Sequence, residues 1–191
     1  MNNLAIFASG SGTNAENLIK AFKENKKITI STIFSNNKDA YVIQRAINHN
    51  IKYHIFSRPD FYQSQKVLNL LKENNIDFIV LAGFLWLIPE YLIDAFPNKI
   101  INIHPALLPK YGGKGMFGMN VHESVVKNKE PETGITIHYV NKDYDKGSII
   151  FQAKCPVLPT DSADDVAKKV HELEYMHFPK VVEQVITNVY K

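Results

Sequence analysis

Cysteine is nearly missing from this chain: one thiol, Cys155, stands among 191 residues, inside an apolar strand-like run. One thiol closes no internal disulfide and builds no cysteine-rich zinc site, so Cys155 reads as a small buried hydrophobe. Long apolar runs are missing too, and none reaches the roughly 18 residues that a membrane span requires. The N-terminus enters a strand-like segment without the basic region, apolar stretch and cleavage site of a signal peptide, so a cytoplasmic location is expected. An excess of one charge is also absent. The net charge is +3, and the lysines are scattered apart from pairs such as Lys26-Lys27 and Lys168-Lys169. Without a basic stripe carrying interleaved aromatics, a nucleic-acid backbone is not the expected partner. A local cluster of cations for one or two phosphates stays open.

What is present suffices for a core. Hydrophobic residues make up 45% and charged residues 21%, the balance of a folded chain. The first half alternates short apolar runs with helix-period segments. Leu4 to Ala8 reads as a strand, and Ala15, Leu18, Ile19 and Phe22 fall on one face of a helix. Strands are expected at 28–34, 51–56, 78–82 and 100–103. Ala40, Ile43 and Ile47 mark a second helix, and Val67, Leu68 and Leu71 a third. Strands apolar on both faces and separated by helices predict a doubly wound α/β fold, a mostly parallel sheet flanked by helices. Its ligands would sit at the carboxyl ends of the strands.

After residue 104 the texture changes to a proline- and glycine-rich segment, then a short helix near 121–126. Runs at 134–140 and 148–157 are spaced for an antiparallel hairpin. The C-terminus has helical spacing, and Pro179 is expected to kink or split it. No repeat, low-complexity tract or linker appears, so residues 1–191 are read as a single domain.

Three constellations could carry chemistry. Gly10-Ser11-Gly12-Thr13-Asn14 lies between a strand and a helix, where glycines admit a ligand and the first helical N–H groups favour an anion. The spacing is not a P-loop, since no lysine follows in the required place. It is also a poor dinucleotide fingerprint, because Ala15 stands where the third glycine belongs. A phosphate site and a tight turn capped by Thr13 or Asn14 both stay open. Asn102-Ile103-His104-Pro105 ends a strand, so the amide and the imidazole project to the same side. An amide can donate to an oxyanion and an imidazole can move protons near neutral pH. The competing reading is an edge histidine satisfied by a carbonyl. Asn141 to Gly147 is a polar turn with two carboxylates, lacking the ligand ladder of a calcium loop.

His138 precedes Asp145 by seven residues, on the strand feeding that turn, and is a candidate supporting residue. His49, His54, His122, His171 and His177 are less telling. Trp86, in Phe84-Leu85-Trp86-Leu87-Ile88-Pro89, fits core packing and an apolar slot for a flat ring equally well.

Together these pieces resemble the phosphoribosylglycinamide formyltransferase family of purine biosynthesis. The resemblance rests on Ser9-Gly10-Ser11-Gly12-Thr13-Asn14, Ala82-Gly83-Phe84-Leu85, Asn102-Ile103-His104-Pro105-Ala106-Leu107-Leu108-Pro109 and Asp145-Lys146-Gly147. The stretch from Asn102 is specific to folate-dependent formyltransferases as a class. It does not by itself choose among glycinamide ribonucleotide, initiator tRNA and amino sugars. The length leaves no room for the additional domains of the tRNA enzyme or a formyl-folate hydrolase.

The resemblance implies transfer of the formyl group of 10-formyltetrahydrofolate to glycinamide ribonucleotide, with no metal, by a monomer or homodimer. Gly12, Thr13 and Asn14 would hold the ribose phosphate, with Arg58 reaching toward the same ligand. Glu174 would engage the glycinamide end. Leu85, Trp86, Leu87 and Ile88 would line the pterin pocket. Asn102, His104 and Asp145 match the catalytic trio: Asn102 and protonated His104 on the oxyanion, Asp145 raising the imidazole pKa. The run Gly112 to Met119 is longer and richer in glycine than is common in the family, with Lys114 a candidate for electrostatic help. Trp86 stands where a polar or basic residue is more usual. A formyltransferase for an amino sugar on a nucleotide carrier, and a non-catalytic nucleotide- or folate-binding domain, are the rival readings.

Overall fold

Strands apolar on both faces are stable only between two layers, and the chain builds that sandwich. The computed structural model describes residues 1–189; residues 190 and 191, the end of the expected 1–191 domain, lie outside the described residues. The elements run β1 (Asn2–Phe7), α1 (Thr13–Phe22), β2 (Ile28–Ser35), α2 (Tyr41–Asn48), β3 (Lys52–Ile55), α3 (Arg58–Tyr62), α4 (Lys66–Glu73) and β4 (Phe78–Leu81). There follow α5 (Glu90–Ala95), β5 (Ile100–His104), α6 (Met119–Lys127), β6 (Glu132–Tyr139), β7 (Ile149–Pro156) and α7 (Ala163–Val189).

One sheet has the order β3-β2-β1-β4-β5-β6-β7. Strands β1 to β5 pair in parallel, and β6 and β7 extend the sheet antiparallel. The architecture is the one that the apolar pattern predicts.

Strand alternation divides the core in two. Leu4 and Ile6 of β1 cluster with Ala15 and Leu18 of α1 and with Val182 and Ile186 of α7. Ala5 and Phe7 cluster with Phe61 of α3, Leu71 of α4 and Leu92 of α5 on the other face. The ring of Phe7 stacks on Phe34, with centroids 4.9 Å apart, and meets Phe84 edge-on at 5.4 Å. Fully buried Phe7 and Phe34 each contribute about 1.5–3 kcal/mol.

The structure departs from the sequence pattern at α2, α5 and α7, and adds α3, which the spacing does not mark. Val42 and Ala46 are the buried residues of α2, whereas Ile47 is 49% exposed and Ile43 is only partly buried. The reason is Gly12, whose missing Cβ lets Val42 come close. A Cβ there would lie 2.6 Å from Val42 Cβ and 2.9 Å from its Cα. That contact turns α2 toward the loop after β1. Pro179 does not split the last helix, which runs on through it. Buried Phe178, Val181 and Val182 hold the segment in place against the lost hydrogen bond. The short α5, after Pro89, has no counterpart in the apolar spacing.

One buried hydroxyl anchors the irregular segment after β5. Thr136 of β6 is fully buried; its Oγ1 donates to Ala106 O at 2.7 Å. It accepts from Leu108 N at 3.0 Å and from Gln152 Nε2 at 2.9 Å. Replacing Thr136 by Val keeps the shape and strands those partners. Thr136→Val is expected to lose about 1–3 kcal/mol, the cost of leaving buried polar groups unsatisfied. Denaturant unfolding would measure it, and an unchanged midpoint would count against the anchor.

Candidate active site

The strand order reverses between β1 and β4, and in such sheets ligands bind at the carboxyl ends of the strands at that point. There the loops after the two strands are laced together. Ser9 N donates to Gly83 O at 3.0 Å, and Leu85 N donates to the Ser9 hydroxyl at 3.0 Å. A cleft of about 650 Å³ opens beside them. Its walls are residues 9–14, 82–85, 102–105 and 113–119, with His122, Tyr144, Asp145, His171 and Glu174. Of the residues singled out in the sequence, Gly12, Thr13, Asn14, Leu85, Asn102, His104, Asp145 and Glu174 meet there, along with Lys114.

Asn102 and His104 reach the cleft from the end of β5. Asp145 comes from the turn between β6 and β7, in a left-handed conformation with φ 55°. Gly147 follows closely because a Cβ there would collide with Tyr139 O. Asp145 Oδ2 accepts from Gly113 N at 2.9 Å and lies 3.6 Å from His104 Nδ1. Its Oδ1 lies 3.6 Å from His138 Nε2 and 3.4 Å from Asn102 Nδ2. Burial pushes the Asp145 carboxyl up, but the His138 and His104 rings when protonated, with the Gly113 N–H, hold it below the usual carboxylate range.

His104 is buried, with Nε2 2.7 Å from Tyr111 O. A carbonyl only accepts, so Nε2 carries the hydrogen and Nδ1 faces Asp145. Burial lowers the imidazole pKa, against the opposing pulls of Asp145 and the Tyr111 carbonyl. The expected raised pKa is therefore reversed: Asp145 does favour the cation, and desolvation outweighs it. The resting imidazole is neutral near neutral pH.

Asn102 also differs from expectation. Its Nδ2 lies 3.1 Å from His138 Nε2 and 3.4 Å from Asp145 Oδ1. Nδ1 of His138 donates to Tyr139 O at 2.8 Å, which leaves Nε2 as the acceptor. Both amide hydrogens are thus engaged, and donation to an oxyanion requires releasing the longer contact, to Asp145. His138 itself is buried behind the cleft, in the supporting position that its sequence spacing suggests.

At the other end, the N-cap of α1 is Gly12, with no side-chain cap. Thr13 and Asn14 do not cap the helix; both line the cleft. The loop is held from behind by Val42 N on Gly10 O at 3.1 Å and Arg45 Nε on Ser11 O at 2.8 Å. The Asn14 amide donates to buried Glu174 at 2.9 Å, and His171 Nδ1 meets the same carboxylate at 2.8 Å. His122 and His171, unremarkable as sequence, line the cleft. Only their helical register with Val121, Val125 and Glu174 could have hinted at it.

The remaining residues sit elsewhere. The Arg58 guanidinium lies over the rings of Tyr62 and Trp86, 5.0 and 5.6 Å from their centroids. It is absent from the cleft walls around Gly12–Asn14, because two ring faces attract a guanidinium in the other direction. Trp86 packs against Phe56 and Phe61, Ile88 is buried, and Leu87 O accepts from Tyr62 at 2.9 Å. Of the four residues expected at the pterin, Leu85 alone is in the cleft wall. Among the described residues no group of three or more His, Cys, Asp or Glu is placed to hold a metal ion. None of the described helices is long and apolar enough to cross a membrane.

The buried imidazole gives a direct test. NMR titration of the free protein should place the His104 midpoint below the ordinary 6.5. Asp145→Asn should move it lower still, because the carboxylate that favours the cation is gone. A midpoint that rises in the variant would contradict this account.

The family pattern "Formyl transferase" matches residues 2–182. The phosphoribosylglycinamide formyltransferase of Haemophilus influenzae is 34% identical over 188 residues, covering 96% of this chain and 86% of the relative. The chloroplastic enzyme of that name from Arabidopsis thaliana is 35% identical over 185 residues and 94% of this chain, which spans 63% of its length. A crystal structure of phosphoribosylglycinamide formyltransferase from Anaplasma phagocytophilum superimposes with a TM-score of 0.88 at 33% identity. It covers 98% of this chain and 88% of that one. With residues 2–182 matched by the family pattern and relatives at about a third identity over nearly the whole chain, the chain belongs to the formyl transferase family.

Proposed function

We propose that this protein transfers the formyl group of 10-formyltetrahydrofolate to the amine of glycinamide ribonucleotide. The products are formylglycinamide ribonucleotide and tetrahydrofolate. The observation that carries the reading is a buried His104, set between Asp145 and a carbonyl in the cleft that also holds the uncapped start of α1. A cytoplasmic enzyme of one domain, monomeric or homodimeric, belongs to the same reading.

Residues Gly12, Thr13 and Asn14 would bind the phosphate through the N–H groups of the first turn of α1, where the helix dipole also favours an anion. Lys114 adds a cation on the same cleft, and Glu174 takes donors from the rest of the ribonucleotide. Leu85 offers an apolar surface to the pterin, with Trp86, Leu87 and Ile88 supporting it from behind. Arg58, seated on Trp86, stands with that folate side rather than with the phosphate.

The uncharged amine attacks the formyl carbon to form the new C–N bond, and the carbonyl oxygen becomes an oxyanion. His104 accepts the proton that the attacking nitrogen loses. The resulting imidazolium is stabilised by Asp145 and the Tyr111 carbonyl and faces the oxyanion as a cation. Asn102 can turn the N–H of its long Asp145 contact onto the same oxygen. His104 then returns the proton to the departing folate nitrogen as the old C–N bond breaks. His138 keeps Asn102 oriented throughout. A base that starts neutral suits this sequence better than one already protonated.

The test is a spectrophotometric assay with glycinamide ribonucleotide and 10-formyltetrahydrofolate. Turnover is expected, and His104→Ala should lower it by ~10²–10⁴-fold, the usual contribution of a proton-transfer residue. Near-wild-type turnover in the variant would remove His104 from the chemistry. Folate binding without turnover of this amine would shift the reading to another amine, such as an amino sugar on a nucleotide.

A further inference from the structure

Three helices meet beside the loop after β1 in a cluster that the formyl-transfer step does not use. Helix α1 contributes Asn14, α6 contributes His122, and α7 contributes His171 and Glu174; all four line the cleft. Glu174 is 4% exposed, and a carboxylate so deep needs partners. Among the described residues it has two, both on one oxygen: Asn14 Nδ2 at 2.9 Å from Oε2 and His171 Nδ1 at 2.8 Å from the same atom. His171 is its one ion-pair partner among the described residues. Oε1 is left for a ligand. Two further polar atoms nearby, Asn14 Oδ1 and His122 Nδ1, are buried without a hydrogen-bond partner among the described residues.

The two histidines are driven apart. His171 is half-exposed, and its hydrogen bond to Glu174 raises its pKa. His122 is lowered by burial and then by His171 itself, the two rings lying 6.5 Å apart. The other titratable group against His171 is Tyr175, whose ring stacks on it at 6.1 Å. From α1 comes only the uncharged amide of Asn14.

We infer that protonated His171 is a positioning residue for the amine substrate. It clamps Glu174 by Oε2, so that Oε1, with Asn14 Oδ1, accepts hydrogens from the sugar hydroxyls. The inference rests on the ribonucleotide reading and deepens it. A charged clamp is lost as pH rises through the His171 midpoint, while His122 stays neutral over that range. Substrate affinity therefore weakens toward alkaline pH for a reason that resides in the protein.

Calorimetric binding of ribose 5-phosphate, which carries no amine, tests this in the wild type and in His171→Gln. The substitution keeps a donor and removes the charge. Comparing the two proteins cancels the titration of the ligand's own phosphate. At about pH 6, where an imidazole partnered by a carboxylate is charged, the wild type should bind tighter by about fivefold, the upper range for a half-exposed ion pair. The advantage should vanish at alkaline pH. With glycinamide ribonucleotide, KM should rise in the variant and kcat should stay. A wild-type to variant ratio that does not change with pH overturns this inference alone. No binding by the wild type at any pH overturns the ribonucleotide reading with it.

Discussion

A carboxylate withdrawn from water keeps its charge only where neighbours favour that charge, and Asp145 meets this condition with groups from three places. Gly113 donates from the glycine-rich loop and Asn102 from β5, and the imidazoles of His104 and His138 flank it from β5 and β6 and favour the charge once protonated. The left-handed backbone at Asp145 and the missing side chain of Gly147 let the turn close over them. A proline-rich segment, two antiparallel strands and a loop without regular structure are thereby brought to one point. The parallel half of the sheet contributes the opposite wall.

The layered fold was legible because it depends on apolar spacing alone. Buried strands and the inward faces of α1 and α4 follow from residue type and period. Where a single contact governs the result, spacing misleads. The inward face of α2 is chosen by the absence of a Cβ at Gly12, which no hydrophobic period encodes. Pro179 stays inside a helix because the residues around it are buried, a tertiary matter.

The site was legible in the same graded way. Asn102 and His104 share a strand face, so their joint appearance in the cleft follows from a period of two. Asp145 and Glu174 were carried by resemblance; their distance in sequence from β5 hides what they touch. His122 and His171 carry no local signal beyond their helical register, and only the crossing of α6 and α7 brings them to the cleft. The sign of the His104 shift was not readable either. A nearby carboxylate is visible in a motif, whereas the degree of desolvation that outweighs it is a property of the folded packing. The same holds for Asn102, whose donors are engaged by a histidine one strand away and by Asp145.

Oδ2 of Asp145 serves two masters: the amide of Gly113 and the imidazole of His104. The rim of the cleft and its proton carrier are therefore tuned through one atom. A change in the glycine-rich loop that shifts Gly113 also alters the field at His104. Redesigning that loop to admit a different amine would thus carry a hidden effect on the acid–base chemistry, and the two properties would have to be optimised together.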